Sequence, residues 1–299
     1  MHIHIKSPAD GLSLNTMVIC DTNSPKAVIL FIHGLCGKID RMLPTMKHFS
    51  DAGCACFDMR GHGNSVRKER DRGYTYKGGS KAMSADIKSV VGWLHIRYPK
   101  VPLFIVAHSM GSLAARTYLK DDDRHIQGLI ICGSPSYNPL SPYARILLQI
   151  YNSISDGRSR PEWLQRFTSN LYNREFREEG YQAWTCSDKV QRKSVMENPL
   201  CNFTLTANGT RNLLGLMIDT YRKGEWAVSN PDLPVHFISG DDDPMMLGEN
   251  KFHKAAQNLC DRGYVNVTSA LYPGMRHEVL NEIGKEEVWN EILHFMNLK

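Results

Sequence analysis

The chain of 299 residues contains no uninterrupted apolar run long enough to span a membrane, which takes roughly 18 residues. Its first residues, MHIHIKSPADG, show no basic stretch followed by an apolar run and a cleavage site, so no secretory leader is predicted. With 42% hydrophobic and 22% charged residues, the composition is that of an ordinary globular protein. We therefore expect a cytoplasmic protein that folds as one large domain or as one domain with an insertion.

Cysteines in the spacing of a metal or redox motif are also lacking. The eight cysteines are scattered, and several lie in apolar runs, where a thiol packs as a small hydrophobic group. Cys54 and Cys56 are two residues apart in a predicted strand, which does not fit a CxxC motif. We predict no metal site from these residues, and in the absence of an export signal we expect reduced thiols.

A large excess of one charge sign is missing as well. The chain has 36 Lys and Arg against 31 Asp and Glu, a formal net charge of +5. This excess is small and dispersed, so nucleic acid is not predicted as a partner. No stable insertion into a membrane is expected either, although a mildly basic surface allows transient contact with a membrane surface.

Short apolar runs of strand length alternate with longer segments of helical period. Runs that are nearly continuous in apolar residues, as strands buried on both faces must be, lie at 28–32, 54–57, 103–106, 129–132 and 235–238. A further strand is predicted at 268–272 and an antiparallel edge hairpin in the first 20 residues. Helical periods cover 41–51, 81–97, 110–120, 248–262 and 285–297. The pattern predicts an α/β fold with a mostly parallel central sheet flanked by helices.

The strand rhythm stops between residues 136 and 230, where helical runs such as ARILLQIY at 144–151 and NLLGLMI at 212–218 take over. Such a segment is too long for an ordinary connection. We therefore predict a core made of residues 1–135 and 231–299, with 136–230 inserted as a helical cap.

The strand at 103–106 is followed by AHSMG at 107–111 and then by a helical pattern. This is the strand, sharp turn and helix context of a GxSxG nucleophile elbow, with Ser109 at its tip. The start of the helix adds positive potential where an oxyanion would form. Ala107 replaces the first glycine of the motif. Because a serine before Met-Gly could also simply cap a helix, the elbow needs partners further along the chain.

In the fold that carries this elbow, an acid and then a histidine follow the nucleophile in chain order. The strand at 235–238 leads into SGDDDP at 239–244, three carboxylates in one turn. Asp243 is our choice for the acid, although spacing alone leaves Asp241 open. The two remaining aspartates of the turn are expected to bond nearby backbone amides.

Of the 12 histidines, only His277 follows both the serine and the acidic turn in a loop directly after a strand. His277 is therefore the predicted general base, which takes the Ser109 proton and returns it to the leaving group. The acid holds the imidazole in orientation and stabilises its charge.

The loop FIHGLCG at 31–37 should supply one backbone donor to an oxyanion hole, from Leu35, and the residue after the serine, Met110, the other. His33 and His108 adjoin this loop and the serine. We expect them to be structural or to line the substrate site.

Taken together, these motifs resemble one family. HGL at 33–35, DMRGHGNS at 58–65, AHSMG at 107–111, SGDDDP at 239–244 and PGMRHEVLNE at 273–282 are similar to the bacterial lysophospholipase and monoacylglycerol lipase-like branch of the α/β-hydrolases. This branch is also grouped as serine aminopeptidase S33 or hydrolase 4 proteins. The resemblance favours Asp243 as the acid, since it is the fourth position of the GxxD turn. It also implies that the segment at 58–65 shapes a loop.

The resemblance implies a serine ester hydrolase that acts on lipid-like monoesters such as monoacylglycerols or lysophospholipids. No cofactor or metal is expected, because a triad and amide donors supply the proton transfer and the charge stabilisation. The resemblance also implies a cap that contributes an apolar acyl-binding wall, for which the candidates are Ile146, Leu147, Leu214 and Met217. For each of them the alternative is plain packing of the cap helices. The cap also holds Trp184, whose direction the sequence does not fix.

Two alternatives remain open at this point. One keeps the triad but changes the substrate, giving a small-ester carboxylesterase, an aminopeptidase or an acyltransferase. The other is a non-catalytic binding protein that retains only the fold. Dehalogenase and epoxide hydrolase chemistry would require an aspartate at the elbow, where this chain has Ser109.

Overall fold

The computed structural model describes residues 1–22, 24–49, 51–224 and 226–298. The strands are β1 (His2–Lys6), β2 (Ser13–Ile19), β3 (Val28–Ile32), β4 (Gly53–Phe57), β5 (Leu103–His108), β6 (Gly128–Cys132), β7 (Val235–Gly240) and β8 (Val267–Tyr272). The α-helices are α1 (Ile39–His48), α2 (Gly79–Arg97), α3 (Met110–Tyr118), α4 (Ser141–Ser155), α5 (Glu162–Tyr172), α6 (Lys189–Glu197), α7 (Ala207–Tyr221), α8 (Glu249–Cys260) and α9 (Lys285–Phe295). Within the described residues, no helix combines the length and the apolar content needed to cross a bilayer.

The eight strands form one sheet in the order β1-β2-β4-β3-β5-β6-β7-β8. β1 and β2 are an antiparallel hairpin, and β2 is also antiparallel to β4. The six strands from β4 to β8 along the sheet are mutually parallel. The predicted α/β fold and its edge hairpin are thus confirmed. Because parallel strands end at the same edge, the loops after β3, β5, β7 and β8 meet there.

Strand β3 shows why the apolar runs fold this way. All five of its residues are buried, and they divide between the two faces of the sheet. Val28, Leu30 and Ile32 belong to a core covered by α2, α3 and α8. Ile29 and Phe31 belong to a second core, covered by α1 and α9. A strand between two helical layers has no polar face, which is why its sequence does not alternate.

Helix α1 begins two residues earlier than its sequence pattern predicts. The reason is that Asp58, directly after β4, accepts a hydrogen bond of 2.9 Å from the Ile39 N–H, which satisfies one of the free donors of the helix start. Asp58 also accepts from the Asn64 N–H at 2.8 Å, and neighbouring Arg60 forms a buried ion pair with Asp86 on α2. The segment at 58–65 therefore shapes the surroundings of the site, as the sequence suggests.

Between β6 and β7 the described residues form helices α4 to α7 and two 3₁₀ turns, Arg174–Glu179 and Ala183–Thr185, without a strand. Helix α7 packs on α4 but also on α2 and α3. Its Thr220 hydroxyl, for example, donates to the Leu113 carbonyl at 3.1 Å. The insertion is helical as predicted. Since α7 joins the packing of the core, the division at residues 136 and 230 remains a prediction.

Candidate active site

Ser109 lies between β5 and α3 with φ 52° and ψ −119°, a region that side chains other than glycine rarely occupy. The Ser109 N–H donates to the Cys132 carbonyl of β6 at 2.9 Å, which fixes the turn. Gly111 is required here, because a Cβ at this position would lie 2.5 Å from the His33 carbonyl oxygen. Ala107, which replaces the first glycine of the motif, is accommodated as a fully buried residue of β5. The strained turn holds the serine at the edge where the strands end.

The structure brings the three predicted side chains into one hydrogen-bonded chain. The Ser109 hydroxyl lies 2.8 Å from His277 Nε2, and His277 Nδ1 lies 3.0 Å from Asp243 Oδ2. Asp243 also accepts from the Met245 N–H at 2.8 Å and from the Ser239 hydroxyl at 3.0 Å. Asp241, the alternative acid, instead accepts from the Gly274 N–H at 2.7 Å and stabilises the turn.

Burial and pairing act in opposite directions on the two ionisable partners. Burial alone would raise the pKa of Asp243, but the charge and hydrogen bond of His277 outweigh it and hold that pKa below its ordinary value. Burial likewise disfavours protonated His277, yet the adjacent Asp243 carboxylate raises the pKa of His277 above its ordinary value of 6.5. The arrangement therefore favours an ionised aspartate beside a histidine of increased basicity.

The two predicted oxyanion donors are both left without a protein acceptor in the described part of the chain. The Leu35 N–H makes no hydrogen bond within the described residues, and the N–H of Met110, the first residue of α3, has no intrahelical acceptor. His33 fixes the loop that carries Leu35. Its Nε2 accepts from the Met59 N–H at 2.9 Å, so its Nδ1 carries the hydrogen and donates to the Gly34 carbonyl at 2.7 Å. Burial lowers the pKa of His33 to about 4, which keeps it neutral.

His108 contacts His277 rather than the space above the serine. Its Nε2–H donates to the His277 carbonyl at 3.0 Å, and the two rings lie 4.8 Å apart. Burial lowers the pKa of His108 to about 4, and the neighbouring His277 adds to this. His108 is thus a neutral donor that holds the backbone of the predicted base.

A partly buried ion pair adjoins the histidine loop. Arg41 of α1 pairs with Glu278, the residue after His277. Although burial would raise the pKa of Glu278, the Arg41 guanidinium lowers it to about 2. Glu278 also accepts from the Asn281 side-chain amide at 2.8 Å. This carboxylate is therefore ionised, and its Oε2 accepts both bonds.

The inserted segment is attached directly to the histidine loop, which sequence reasoning missed. Glu282, which is fully buried, accepts at one carboxylate oxygen from the N–H groups of Ser187 at 2.8 Å and Arg276 at 2.9 Å. The Arg276 guanidinium pairs with Glu179 at 3.0 Å and lies 4.0 Å from the centre of the Phe176 ring. No periodic pattern connects residues so far apart in the chain. The motif PGMRHEVLNE marks Arg276 and Glu282 of the histidine loop, but nothing in the sequence marks their partners in the insertion.

Trp184 of the insertion lies against the predicted base. The centres of its indole ring and of the His277 imidazole are 5.3 Å apart, with an interplanar angle of 44°. The Tyr172 ring contacts the indole at 5.3 Å in turn. The sequence identified Trp184 as an aromatic residue of the cap, and the structure shows that it points inward.

The three side chains of the candidate site are buried. Ser109 is 6% exposed, His277 4% and Asp243 2%. A cavity of about 410 Å³ opens between the 3₁₀ turn Glu69–Asp71 and α5, but its lining does not include the three side chains.

The four apolar residues predicted to line an acyl site differ in their surroundings. Ile146 and Leu147 of α4 are 58% and 68% exposed. Leu214 and Met217 of α7 are half-buried, and Met217 packs against the core. None of the described contacts joins them to Ser109, so their part in binding remains a prediction. Among the described residues, no group of three or more His, Cys, Asp or Glu side chains could hold a metal ion.

Comparison with known proteins places this geometry in a family. The family model Hydrolase_4, serine aminopeptidase S33, matches residues 23–284. An uncharacterized abhydrolase domain-containing protein of Dictyostelium discoideum is 26% identical over 98% of this chain and 28% of its own length. The monoglyceride lipase of Rattus norvegicus is 29% identical over 55% of this chain and 56% of its own length. The chain thus spans about half or less of the length of these relatives.

Among solved structures, a thermostable carboxyl esterase from Bacillus coagulans superposes with a TM-score of 0.88 at 23% identity, with 99% of this chain and 97% of that chain covered. At this identity the likeness concerns the fold. The family match extends over the elbow, the acidic turn and the histidine loop, and it bears out the resemblance to the branch that is grouped as serine aminopeptidase S33 or hydrolase 4. The chain belongs to the Hydrolase_4 family, serine aminopeptidase S33, of the α/β-hydrolases.

Proposed function

We propose that this protein hydrolyses carboxylic esters, with lipid-like monoesters such as monoacylglycerols or lysophospholipids as substrates, through an acyl-enzyme on Ser109. The observation that carries the proposal is the hydrogen-bonded chain from Ser109 through His277 to Asp243, with distances of 2.8 and 3.0 Å. These are hydrogen-bond distances at which a base can remove the serine proton.

In the first half-reaction, Ser109 Oγ attacks the ester carbonyl carbon while its proton passes to His277 Nε2. The carbonyl oxygen becomes an oxyanion, which the N–H groups of Leu35 and Met110 stabilise. Collapse of this intermediate breaks the bond to the leaving alkoxy group, which takes the proton from His277. The alcohol departs and the acyl group remains on Ser109.

Water completes the cycle. His277, neutral again, accepts a proton from a water molecule as the water oxygen attacks the acyl carbonyl. The same two N–H groups stabilise the second oxyanion, and Ser109 Oγ leaves with the proton from His277. The acid is released, while Asp243 has stabilised the imidazolium twice without being protonated.

The surroundings of the triad favour esters over peptides with a free amino terminus. An aminopeptidase holds the substrate amine with acidic groups, but the carboxylates around the histidine loop are already engaged. Glu278 pairs with Arg41, Glu179 pairs with Arg276, and Glu282 accepts from two backbone N–H groups. The similarity to a monoglyceride lipase supports a monoacylglycerol as the substrate.

The inserted segment acts as a cap in this proposal. It contacts the histidine loop beside Ser109 through Trp184 and Ser187, and its helices α4 and α5 carry exposed apolar side chains. These are Tyr143, Ile146, Leu147, Ile150, Trp163, Phe167 and Leu171. Such a surface suits transient contact with lipid aggregates, from which a monoester would be taken up. The eight cysteines are free thiols, in keeping with a reducing, cytoplasmic location.

The test is hydrolysis of p-nitrophenyl esters from acetyl to palmitoyl, together with 1-monoacylglycerol and lysophosphatidylcholine, by the wild type and Ser109→Ala. We expect turnover of the long-chain esters and the lipids, abolished by the substitution. Turnover of short esters alone would keep the triad but contradict the lipid substrate. If no turnover depends on Ser109, the protein is a binding protein and the proposal is wrong.

A further inference from the structure

We propose that Trp184 supports catalysis from the inserted segment, as a positioning residue whose indole ring stabilises the imidazolium form of His277. The inference rests on the proposed triad, in which His277 carries a positive charge in both half-reactions. The indole and imidazole ring centres are 5.3 Å apart. A cation within about 6 Å of the centre of an indole ring is attracted by the negative potential of its face.

The ring is held in this place by hydrogen bonds to its own short segment. The Ala183 carbonyl accepts from the Arg276 guanidinium at 2.7 Å, and the backbone N–H of Trp184 donates to Asn173 Oδ1 at 3.0 Å. The Thr185 carbonyl accepts from the Glu278 N–H at 2.8 Å. Both residues that bond from the histidine loop, Arg276 and Glu278, are direct neighbours of His277. The indole ring and the His277 imidazole are therefore both positioned by the histidine loop.

The segment is secured on its far side as well. The Cys186 carbonyl accepts from Arg192 of α6 at 2.8 Å, and the Ser187 N–H donates to Glu282 at 2.8 Å. Each residue from 183 to 187 thus has a bond to another part of the molecule. An aromatic contact stabilises a charge effectively only if the ring is already held in place. For a mobile ring, the loss of conformational entropy on ordering would offset the attraction.

Of the ionisable groups described around His277, only Asp243 stabilises its positive charge directly, so the indole can add to that stabilisation. Asp243, in the turn after β7, stabilises the imidazolium at Nδ1. Glu278 is neutralised by Arg41 of α1, and His108 at the end of β5 is neutral because burial lowers its pKa to about 4. The site is nearly closed, with His277 4% exposed. Water therefore screens the attraction between ring and cation little.

This role has a kinetic signature. Above the pKa of His277, the free enzyme is neutral and the transition state is charged, so loss of the ring lowers kcat/KM. Below that pKa, both states are charged and both lose the same stabilisation. Profiles of kcat/KM against pH for wild type and variant should therefore converge in acid and separate at higher pH. A residue that only kept the segment folded would lower kcat/KM by one factor at every pH.

The experiment compares Trp184→Leu and Trp184→Phe with Ile96→Ala, a control at an apolar residue of α2 that is 83% exposed. The substrate is a p-nitrophenyl ester, and the pKa of His277 is followed separately by NMR titration of its ring. For Trp184→Leu we expect kcat/KM at high pH to fall about threefold to tenfold, with the pKa of His277 lower by about half a unit to one unit. Trp184→Phe should lie between it and the wild type, and the control should be unchanged.

An unchanged pKa of His277 in Trp184→Leu, or a loss of activity by the same factor at all pH values, would overturn the inference. Should the wild type show no turnover that depends on Ser109, the proposed function fails by itself. The NMR titration then still decides whether the indole stabilises the charged imidazole, because it needs no substrate.

Discussion

In the proposed triad, Asp243 sets the pH range in which His277 can accept a proton. His277 acts as a base only when neutral, and the Asp243 carboxylate raises its pKa above 6.5 against the effect of burial. Activity should therefore rise with pH through a value above 6.5, as this raised pKa requires.

Asp243→Asn removes the charge and reverses the hydrogen-bond preference at His277 Nδ1. We expect kcat to fall by about 10⁴-fold, as in the corresponding substitution of serine proteases, and the acid limb of the profile to move to lower pH. Measurement of kcat and kcat/KM at pH values from about 5 to about 9 would check both. Asp241→Asn serves as the control, since Asp241 bonds to the Gly274 N–H instead. An acid limb that stays in place would contradict the assignment of Asp243.

The Arg41–Glu278 pair should matter for stability. Arg41→Met leaves a partly buried carboxylate, 11% exposed, without its charged partner, which costs about 1–3 kcal/mol of the free energy of unfolding. The pKa of Glu278 is about 2 in the folded protein against an ordinary 4.5. The stabilisation is thus complete above pH 4.5 and is lost as the pH falls towards 2.

Urea unfolding of the wild type and Arg41→Met at about pH 7 and about pH 3.5 would measure how much of the stabilisation is lost in acid. The double variant Arg41→Met/Glu278→Gln should be less destabilised than the sum of the single variants, because it leaves no unpaired charge. Additive effects would show that the two side chains do not act as a pair.

Two glycines of neighbouring helices have opposite expected responses to alanine. Gly92 is an exposed residue of α2, and a Cβ there would meet nothing within 4 Å. Gly92→Ala should therefore raise the free energy of unfolding by about 0.5–1 kcal/mol.

In Gly111→Ala of α3, the new Cβ would lie 2.5 Å from the His33 carbonyl oxygen and 2.7 Å from that of Ile32. Thermal unfolding and esterase assays should show a destabilised, inactive variant. Retained activity would mean that the loop can move away.

The elements of the core could be read from the sequence because each is a local pattern. The continuous apolar runs of β3 and β5 mark buried strands, and AHSMG marks the turn between β5 and α3. The start of α1 at Ile39 could not be read, since it depends on Asp58 from a different loop. Contacts of Trp184 and Glu282 across the insertion leave no periodic trace either. The direction of a side chain on α4 depends on what covers the helix, so apolar Ile146 and Leu147 proved to be exposed.

At the scale of the whole molecule, the exposed apolar surface of α4 and α5 should bind lipid. The double variant Trp163→Ser/Phe167→Ser removes two side chains of α5 that are 71% and 64% exposed. We expect its affinity for phosphatidylcholine vesicles to fall by at least about tenfold, because each large apolar group contributes about 1.5–3 kcal/mol when it is buried. Turnover of soluble p-nitrophenyl acetate should be unchanged.

Co-sedimentation with vesicles measures the binding, and Ile96→Ser is the matched control. Ile96 is 83% exposed, but it lies on α2. If this variant loses as much affinity as the α5 variant, the contact is unspecific and the proposed lipid-binding surface is wrong.

The hydrogen bond between Ser109 and His277 joins residues separated by 168 positions. Contacts between distant parts of a chain form late in folding, because closing a large loop costs entropy before the contact repays it. The serine turn can take shape as soon as β5 and β6 pair, whereas its base arrives only with β8 and the attached insertion. During refolding, reactivity towards a serine-directed fluorophosphonate should thus appear after most of the helical signal has returned. The chain would therefore remain inactive during most of its folding, and the candidate site would be completed only at the end.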